Sequence, residues 1–386
     1  MVTIVIVSCA VAQGFGRFTF ALLLPAVKRE LLGSFGLAGF IGTMNVGAYL
    51  VGTALVSVVS VRVPPARVMT IGLGLSSAGL LVLSFARGPG VLVAGMLLTG
   101  LGGASIYLPS PGVLASVFPP DRRGWAIGLA AIGIGGGIVV TSQLTNLVRW
   151  ASGDDSAWRP VWRIEGLIGV ATLVVAARWL RVAPMAVGSR PRLSALRHVP
   201  RWWALASGYV AYGLAYILVM SFVVAMLEQQ AHFGHAHASA SFALVGIAVL
   251  GGGLLLGRAS DLWGRRRVLV VGYLGGGFAS ASVLIGREPW VAISVFVFGL
   301  AFAGSVTIIG AYIGDHAPPH ELGPAFAAVT LGFGVAQAIG PQLGGWLIDR
   351  NGSFDAVFWL AFVVWMIGAA LMLLLADGPA RPRRGA

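Results

Sequence analysis

Arg17 is the one charged residue in the apolar stretch from Met1 to Leu24. If that stretch crosses a membrane, a guanidinium near its middle costs roughly 2.5 to 3.5 kcal/mol on insertion scales, so something must offset it. Its planar fork of donors suits a carboxylate. Polar companions inside other apolar runs are Asn45, Gln143, Gln337 and Gln342, and Tyr209, Tyr212 and Tyr216 recur at i, i+3 and i+7, on one helical face. Amides and hydroxyls do not neutralise a cation. No Asp or Glu is expected at comparable depth in any run, which leaves a ligand anion. The expected binding set is therefore Arg17 with Tyr216 facing it, joined by Tyr212, Asn45, Gln143, Gln337 and Gln342. Two plainer roles stay open at this point: Arg17 snorkelling or bonding to carbonyls, and the tyrosines as a packing stripe.

Other reactive groups are expected to be inert. Glu165 and Glu228 fall near the ends of their runs, where solvated caps are the default, so neither is expected to carry protons. His232, His235 and His237 follow Glu228-Gln229-Gln230 and read as a solvated loop in preference to a metal site. The single Cys9 excludes a disulfide framework, and no Ser-His-Asp order, Walker loop or HExxH helix occurs, so no enzyme, ATPase or cofactor is expected.

The elements that must position these residues are transmembrane helices. The chain has 386 residues, 57% apolar and only 10% charged, far from a soluble balance of roughly a quarter charged. Its 56 glycines sit inside apolar runs, which suits closely packed membrane helices. Runs of about 20 apolar residues match a bilayer core of roughly 30 Å. Twelve such runs occur, from Val2–Leu24 and Leu37–Ser60 through Trp125–Val148, Val161–Leu180 and Trp202–Leu227 to Ala325–Ile348 and Ala356–Leu375. The N-terminus lacks a basic region and a cleavage site, so it reads as the first span and not as a signal peptide. The net charge of +13 comes from arginines in alternate short loops. That pattern encodes topology with both termini cytoplasmic, and no basic stripe with interleaved aromatics suggests nucleic acid.

A Pro- and Arg-rich linker over 183–201 separates an N-terminal half, 1–182, from a C-terminal half, 202–386. The halves repeat at an offset of 199 residues: Pro119-Pro120 matches Pro318-Pro319, Gly133 and Gly135 match Gly332 and Gly334, Gln143 matches Gln342, and Arg17 corresponds to Tyr216. A parallel repeat of six-helix halves is a known transporter plan.

After the eighth run, Gly257-Arg-Ala-Ser-Asp261-Leu-Trp-Gly264-Arg265-Arg266-Arg267 resembles the major facilitator loop signature, with Leu262 in place of the usual first Arg. The resemblance implies a gate made by Gly257, Asp261, Gly264, Arg265 and Arg266, and the pseudo-symmetry of the repeat predicts that Asp261 approaches the start of the fifth span at Arg122-Arg123-Gly124-Trp125. The first-half loop, Ser57 to Arg67, has lost the pattern, with Val61 near the Asp position. In the eleventh run, Gly340-Pro341-Gln342-Leu343-Gly344-Gly345 resembles a drug-antiporter signature, but the fifth run has no proline, so antiport does not follow. The run Gly14-Phe15-Gly16-Arg17-Phe18-Thr19-Phe20, with the Gly-rich eleventh span, resembles the YbfB-like branch of the major facilitator superfamily. It implies an all-α membrane protein of twelve transmembrane helices in two pseudo-symmetric six-helix halves. The expected function is a secondary active transporter of a small solute, an organic anion, working by alternating access in a bacterial inner membrane, with a coupling proton or ion as a further partner. The rivals are a proton-coupled drug or metabolite exporter and a non-transporting sensor or scaffold.

Overall fold

The computed structural model describes residues 1–60, 62–118, 123–180 and 191–376, and leaves out the side chains at 115, 123–128 and 319. Val61, Pro119 to Arg122, the linker up to Arg190 and the tail from 377 lie outside the described residues.

Within hydrocarbon every backbone N–H and C=O needs an internal partner, which leaves the helix as the only open form for long apolar runs. Among the described residues there are twelve such helices: α1 (Val2–Leu32), α2 (Phe35–Val59), α3 (Pro65–Ser84), α4 (Pro89–Leu114), α5 (Leu129–Ser152), α6 (Trp158–Trp179), α7 (Trp202–Gln229), α8 (His235–Trp263), α9 (Arg265–Ile285), α10 (Trp290–His316), α11 (His320–Asn351) and α12 (Asp355–Leu373). Twelve crossings return the chain to the face on which it began, the terminal face. The opposite one is called the far face here. α1 outruns its apolar stretch because Lys28 to Leu32 remain helical, in wide π-type turns. A second π-helical segment, Ala10–Phe18, interrupts α1 at mid-depth, and the Thr19 N–H closes it on the Gly14 carbonyl. Such widened turns gather at functional sites.

Helices α1–α6 and α7–α12 form the two halves, which meet along α2 with α11, α5 with α8, and α1 with α7. Glycine allows the first two contacts. A Cβ on Gly39 would overlap the Pro341 carbonyl, and one on Gly345 the Phe35 carbonyl. Gly135 and Gly246 oppose each other so closely that a Cβ on either would come within 2.8 Å of the other's carbonyl oxygen. Thr43 Oγ1 donates to the Ala338 carbonyl at 2.7 Å and accepts from the Gln342 N–H at 3.3 Å.

Polar contacts close the far face. Asp349, on the last turn of α11, accepts from the Phe35 and Gly36 N–H groups at 2.9 and 2.6 Å, so a carboxylate of one half caps the positive end of a helix of the other. On the same face, Arg149 of α5 pairs with Glu228 of α7 at 3.7 Å, and Glu228 also meets His235 Nδ1 at 2.9 Å. Two expectations are corrected here. Glu228 is no solvated cap, its side chain being 4% exposed, and His235 is drawn out of the loop into this cluster. Apolar counting along a run cannot see a partner that the other half supplies.

Candidate functional site

The π-helical segment of α1 aims Arg17 at the seam between the halves. Arg17 Nη2 donates to the Tyr216 hydroxyl at 3.3 Å and Nη1 to Gln13 Oε1 at 3.5 Å. The guanidinium carbon lies 5.8 and 5.7 Å from the ring centres of Phe18 and Tyr49, within cation–π range. Its Nε is buried with no hydrogen-bond partner among the described residues, and none of their carboxylates pairs with it. Gly14 and Gly16 bring α1 against Gly137 of α5 and Thr99 of α4, so they serve packing inside the first half.

Asn45 ties this segment down. Its Nδ2 lies 3.1 Å from the Gly16 carbonyl, 3.1 Å from that of Met96 and 2.9 Å from Thr99 Oγ1, joining α1, α2 and α4 at the residue before Arg17. The three tyrosines stack along α7, with ring centres 5.8 Å apart from Tyr209 to Tyr212 and 5.1 Å from Tyr212 to Tyr216. Phe302 and Phe333 flank them at 4.8 Å from Tyr216 and 4.5 Å from Tyr209. The Tyr212 hydroxyl donates to the Phe302 carbonyl at 2.8 Å, so it fixes the stack, and Tyr216 alone of the three meets Arg17.

A cavity opens beside Arg17, lined by Phe20, Asn45 and Met96 from the first half and Ile217, Phe222 and Pro341 from the second. Its volume of about 40 Å³ has room for about three waters, each needing roughly 10 to 15 Å³. Of the sequence candidates, Arg17 and Asn45 line it, and Tyr216 reaches Arg17. Gln337 is buried elsewhere, Gln342 keeps its Oε1 buried without a partner among the described residues, and Gln143 lies on an exposed face of α5; none of the three lines the cavity.

The residues expected to form a gate gather on the terminal face within the second half. Arg265, 8% exposed, binds Asp261 at 2.7 Å, Asp315 at 2.9 Å and Ser260 Oγ at 2.6 Å, while Arg266 reaches the Leu375 carbonyl at 3.4 Å. Gly264 turns the chain at φ +92°, in the region that favours glycine, and Gly257 packs on Thr307. The expected approach of Asp261 to Arg122 and its neighbours lies outside the described residues and side chains.

Sequence reasoning missed Glu165, and the expectation of a solvated cap there is corrected. It is 0% exposed, and its Oε1 lies 2.8 Å from Thr19 Oγ1 and 2.6 Å from Thr141 Oγ1. A carboxyl group therefore does lie deep in a span, about 10 Å along α6 from Trp158 at 1.5 Å per residue. Gln13 was legible in principle, one helical turn before Arg17.

Two six-helix halves meeting around a cavity that both of them line define a membrane transporter of the major facilitator architecture. The chain belongs to the family described as the uncharacterised MFS-type transporter YbfB, whose profile matches residues 9–373. The fold is that of the xylose transporter XylE from E. coli in a partially occluded inward open conformation, with a TM-score of 0.76 at 15% identity over 98% of this chain and 97% of that one. Among curated relatives, the chain is 32% identical over 137 residues to the probable actinorhodin transporter of Streptomyces coelicolor, covering 33% of this chain and 23% of that protein. It is 23% identical over 342 residues to monocarboxylate transporter 12-B of Danio rerio, covering 78% of this chain and 70% of that protein. The match to the actinorhodin transporter thus spans less than a quarter of that protein's length.

Proposed function

We propose that this transporter moves a small organic anion, a carboxylate with an apolar body, by alternating access between its halves. The observation that carries the reading is the Arg17 guanidinium: half-buried at the seam with its Nε fully buried, held by neutral oxygens of Gln13 and Tyr216, and joined by no carboxylate among the described residues. A carboxylate in the adjoining cavity supplies the missing charge, and the apolar walls of Phe20, Met96, Ile217 and Phe222 suit its body. The likeness to a monocarboxylate transporter over most of both chains points the same way. Arg17 and Tyr216 bind the anion, Asn45 positions the segment that carries Arg17, and Gln337 and Gln342 enter only as the halves move. The arginine bias supports an orientation with both termini and the 183–201 linker on the cytoplasmic side, and the reading sets the protein in a bacterial inner membrane.

A thermal-shift screen of the purified protein against carboxylates, sugars and neutral amides tests this. A ligand at 100 times its Kd stabilises the folded state by about 2.7 kcal/mol. Carboxylates should raise the Tm of wild type and leave Arg17→Gln unchanged. Stabilisation by neutral sugars alone, or equal stabilisation of both proteins by carboxylates, overturns the reading.

A further inference from the structure

Thr19 of α1, Thr141 of α5 and Glu165 of α6 form a closed triangle of oxygens. Thr19 Oγ1 lies 2.8 Å from Glu165 Oε1, Thr141 Oγ1 lies 2.6 Å from the same atom, and the two hydroxyls lie 2.7 Å apart. All three residues are 0% exposed. Three oxygen contacts at hydrogen-bond distance need three hydrogens, one per edge. The threonines supply two. If both donate to an ionised Glu165, the edge between them is left with two lone pairs facing each other. A hydrogen on Glu165 Oε1 completes the ring, each oxygen donating once and accepting once.

The charges around the triangle agree with that count. Glu165 Oε2 has no hydrogen-bond partner among the described residues, and a buried carboxylate with neither a donor there nor a cation is costly. On α6 itself, Arg159 pairs with Glu30 at 2.7 Å, and Arg163 lies over the Phe85 ring at 5.1 Å. On α5, Arg149 pairs with Glu228. On α1, Arg17 turns to Gln13 and Tyr216, Lys28 lies over the Phe35 ring at 4.2 Å, and Cys9 donates to Ser110 at 3.3 Å. The described span of α3, which packs along α6, has Arg67 as its one charged residue, at its terminal-face end. Among the described residues no cation pairs with Glu165.

We propose that Glu165 is a proton-binding site, that in this conformation its proton is shared in a ring with Thr19 and Thr141, and that loss of the proton releases α1 from α5. On deprotonation the Oε1–H bond breaks, the proton leaves to water, and the hydroxyl that had donated to the other threonine turns to the carboxylate, so that both then donate to it. The contact between Thr19 and Thr141 then has no hydrogen and opens. Thr19 follows directly on the π-helical segment that carries Arg17, so movement there shifts the anion-binding guanidinium too. A proton at Glu165 and an anion at Arg17 are thereby linked through one stretch of chain. The proposal deepens the transport reading without depending on the identity of the solute.

Infrared difference spectroscopy on the purified protein in liposomes, with no solute added, reads the protonation directly. At pH 7 wild type should show a protonated-carboxyl C=O band that Glu165→Gln lacks and Thr141→Val shifts; identical spectra for wild type and Glu165→Gln overturn the proposal. Gln can donate and accept in the same ring, so that variant should fold. The conformational link is read by pulsed spin-label distances between Ala151→Cys and Gln229→Cys, on opposite halves at the far face, in a Cys9→Ala background. With one linked proton, the ratio of separated to closed populations should rise by up to tenfold per pH unit above the site's midpoint, and Glu165→Gln should remain closed throughout. A His235→Gln control should keep the response. A response that survives Glu165→Gln, vanishes with His235→Gln, or follows sodium in place of pH overturns the proposal. These readings are independent of the thermal-shift screen, so failure of the anion reading and failure of the proton site are distinguishable.

Discussion

Arg17 and Tyr216 stand 199 residues apart, at equivalent places in the two halves, and the guanidinium of one donates to the hydroxyl of the other at 3.3 Å. The internal repeat has thus diverged at this pair into a cation and a neutral hydrogen-bonding partner facing each other across the transport seam. A hydrogen bond to a charged group contributes about 1.5 to 3 kcal/mol, equivalent to roughly a tenfold or greater change in an equilibrium. Tyr216→Phe keeps the stacked ring and removes the hydroxyl. Its affinity for the stabilising carboxylate should fall about tenfold, as calorimetric titration will show.

Asp349 is expected to act as a latch between the halves. An anion at a helix N-terminus is worth about 0.3 to 1 kcal/mol, and up to 2 when partly buried. Asp349→Asn should favour the state open at the far face and raise maleimide labelling of Ala38→Cys, in the cavity wall, several-fold in a Cys9→Ala background. Unchanged labelling removes the latch.

Gly345 makes a sharper version of the same test, because a methyl group there overlaps the Phe35 carbonyl in the closed arrangement. Gly345→Ala should lose the short-distance population between Ala151→Cys and Gln229→Cys. Gly136→Ala, where a Cβ meets nothing, should keep it.

On the terminal face, Arg265 is shared by Asp261 and Asp315. Asp261→Asn leaves one carboxylate on Arg265. Arg265→Gln takes the guanidinium from both carboxylates and from Ser260, whereas the pair with Asp261, a side chain 45% exposed, contributes little on its own. Arg265→Gln should therefore lower the Tm much more than Asp261→Asn, a ranking that differential scanning calorimetry reads directly.

The fold was legible because hydrocarbon thickness is written into run length, and the Gly and Pro pairs at the 199-residue offset exposed the repeat. Arg17 was legible because a charge in an apolar run stands out. Depth along a run says little about direction around a helix, however. Thr141 and Gln143 are two residues apart, about 200° around α5 at 3.6 residues per turn. The first faces Glu165 and the second lies on an exposed face. Glu165 reads as a cap when its run is counted from the end, because nothing in α6 alone reveals that α1 and α5 turn threonines toward it. The Asp349 latch is likewise invisible in sequence, since its partners are backbone N–H groups more than 300 residues away.

The central claim, that Arg17 binds a transported carboxylate, is tested most directly by counterflow in proteoliposomes, using a radiolabelled carboxylate that stabilises wild type. Wild type should accumulate it. Arg17→Lys, which keeps the charge and loses the fork, should show a raised half-saturation concentration, and Arg17→Gln should show no counterflow despite normal folding and reconstitution. Counterflow by Arg17→Gln with unchanged half-saturation, or equal counterflow of the corresponding neutral amide by wild type, would contradict the account.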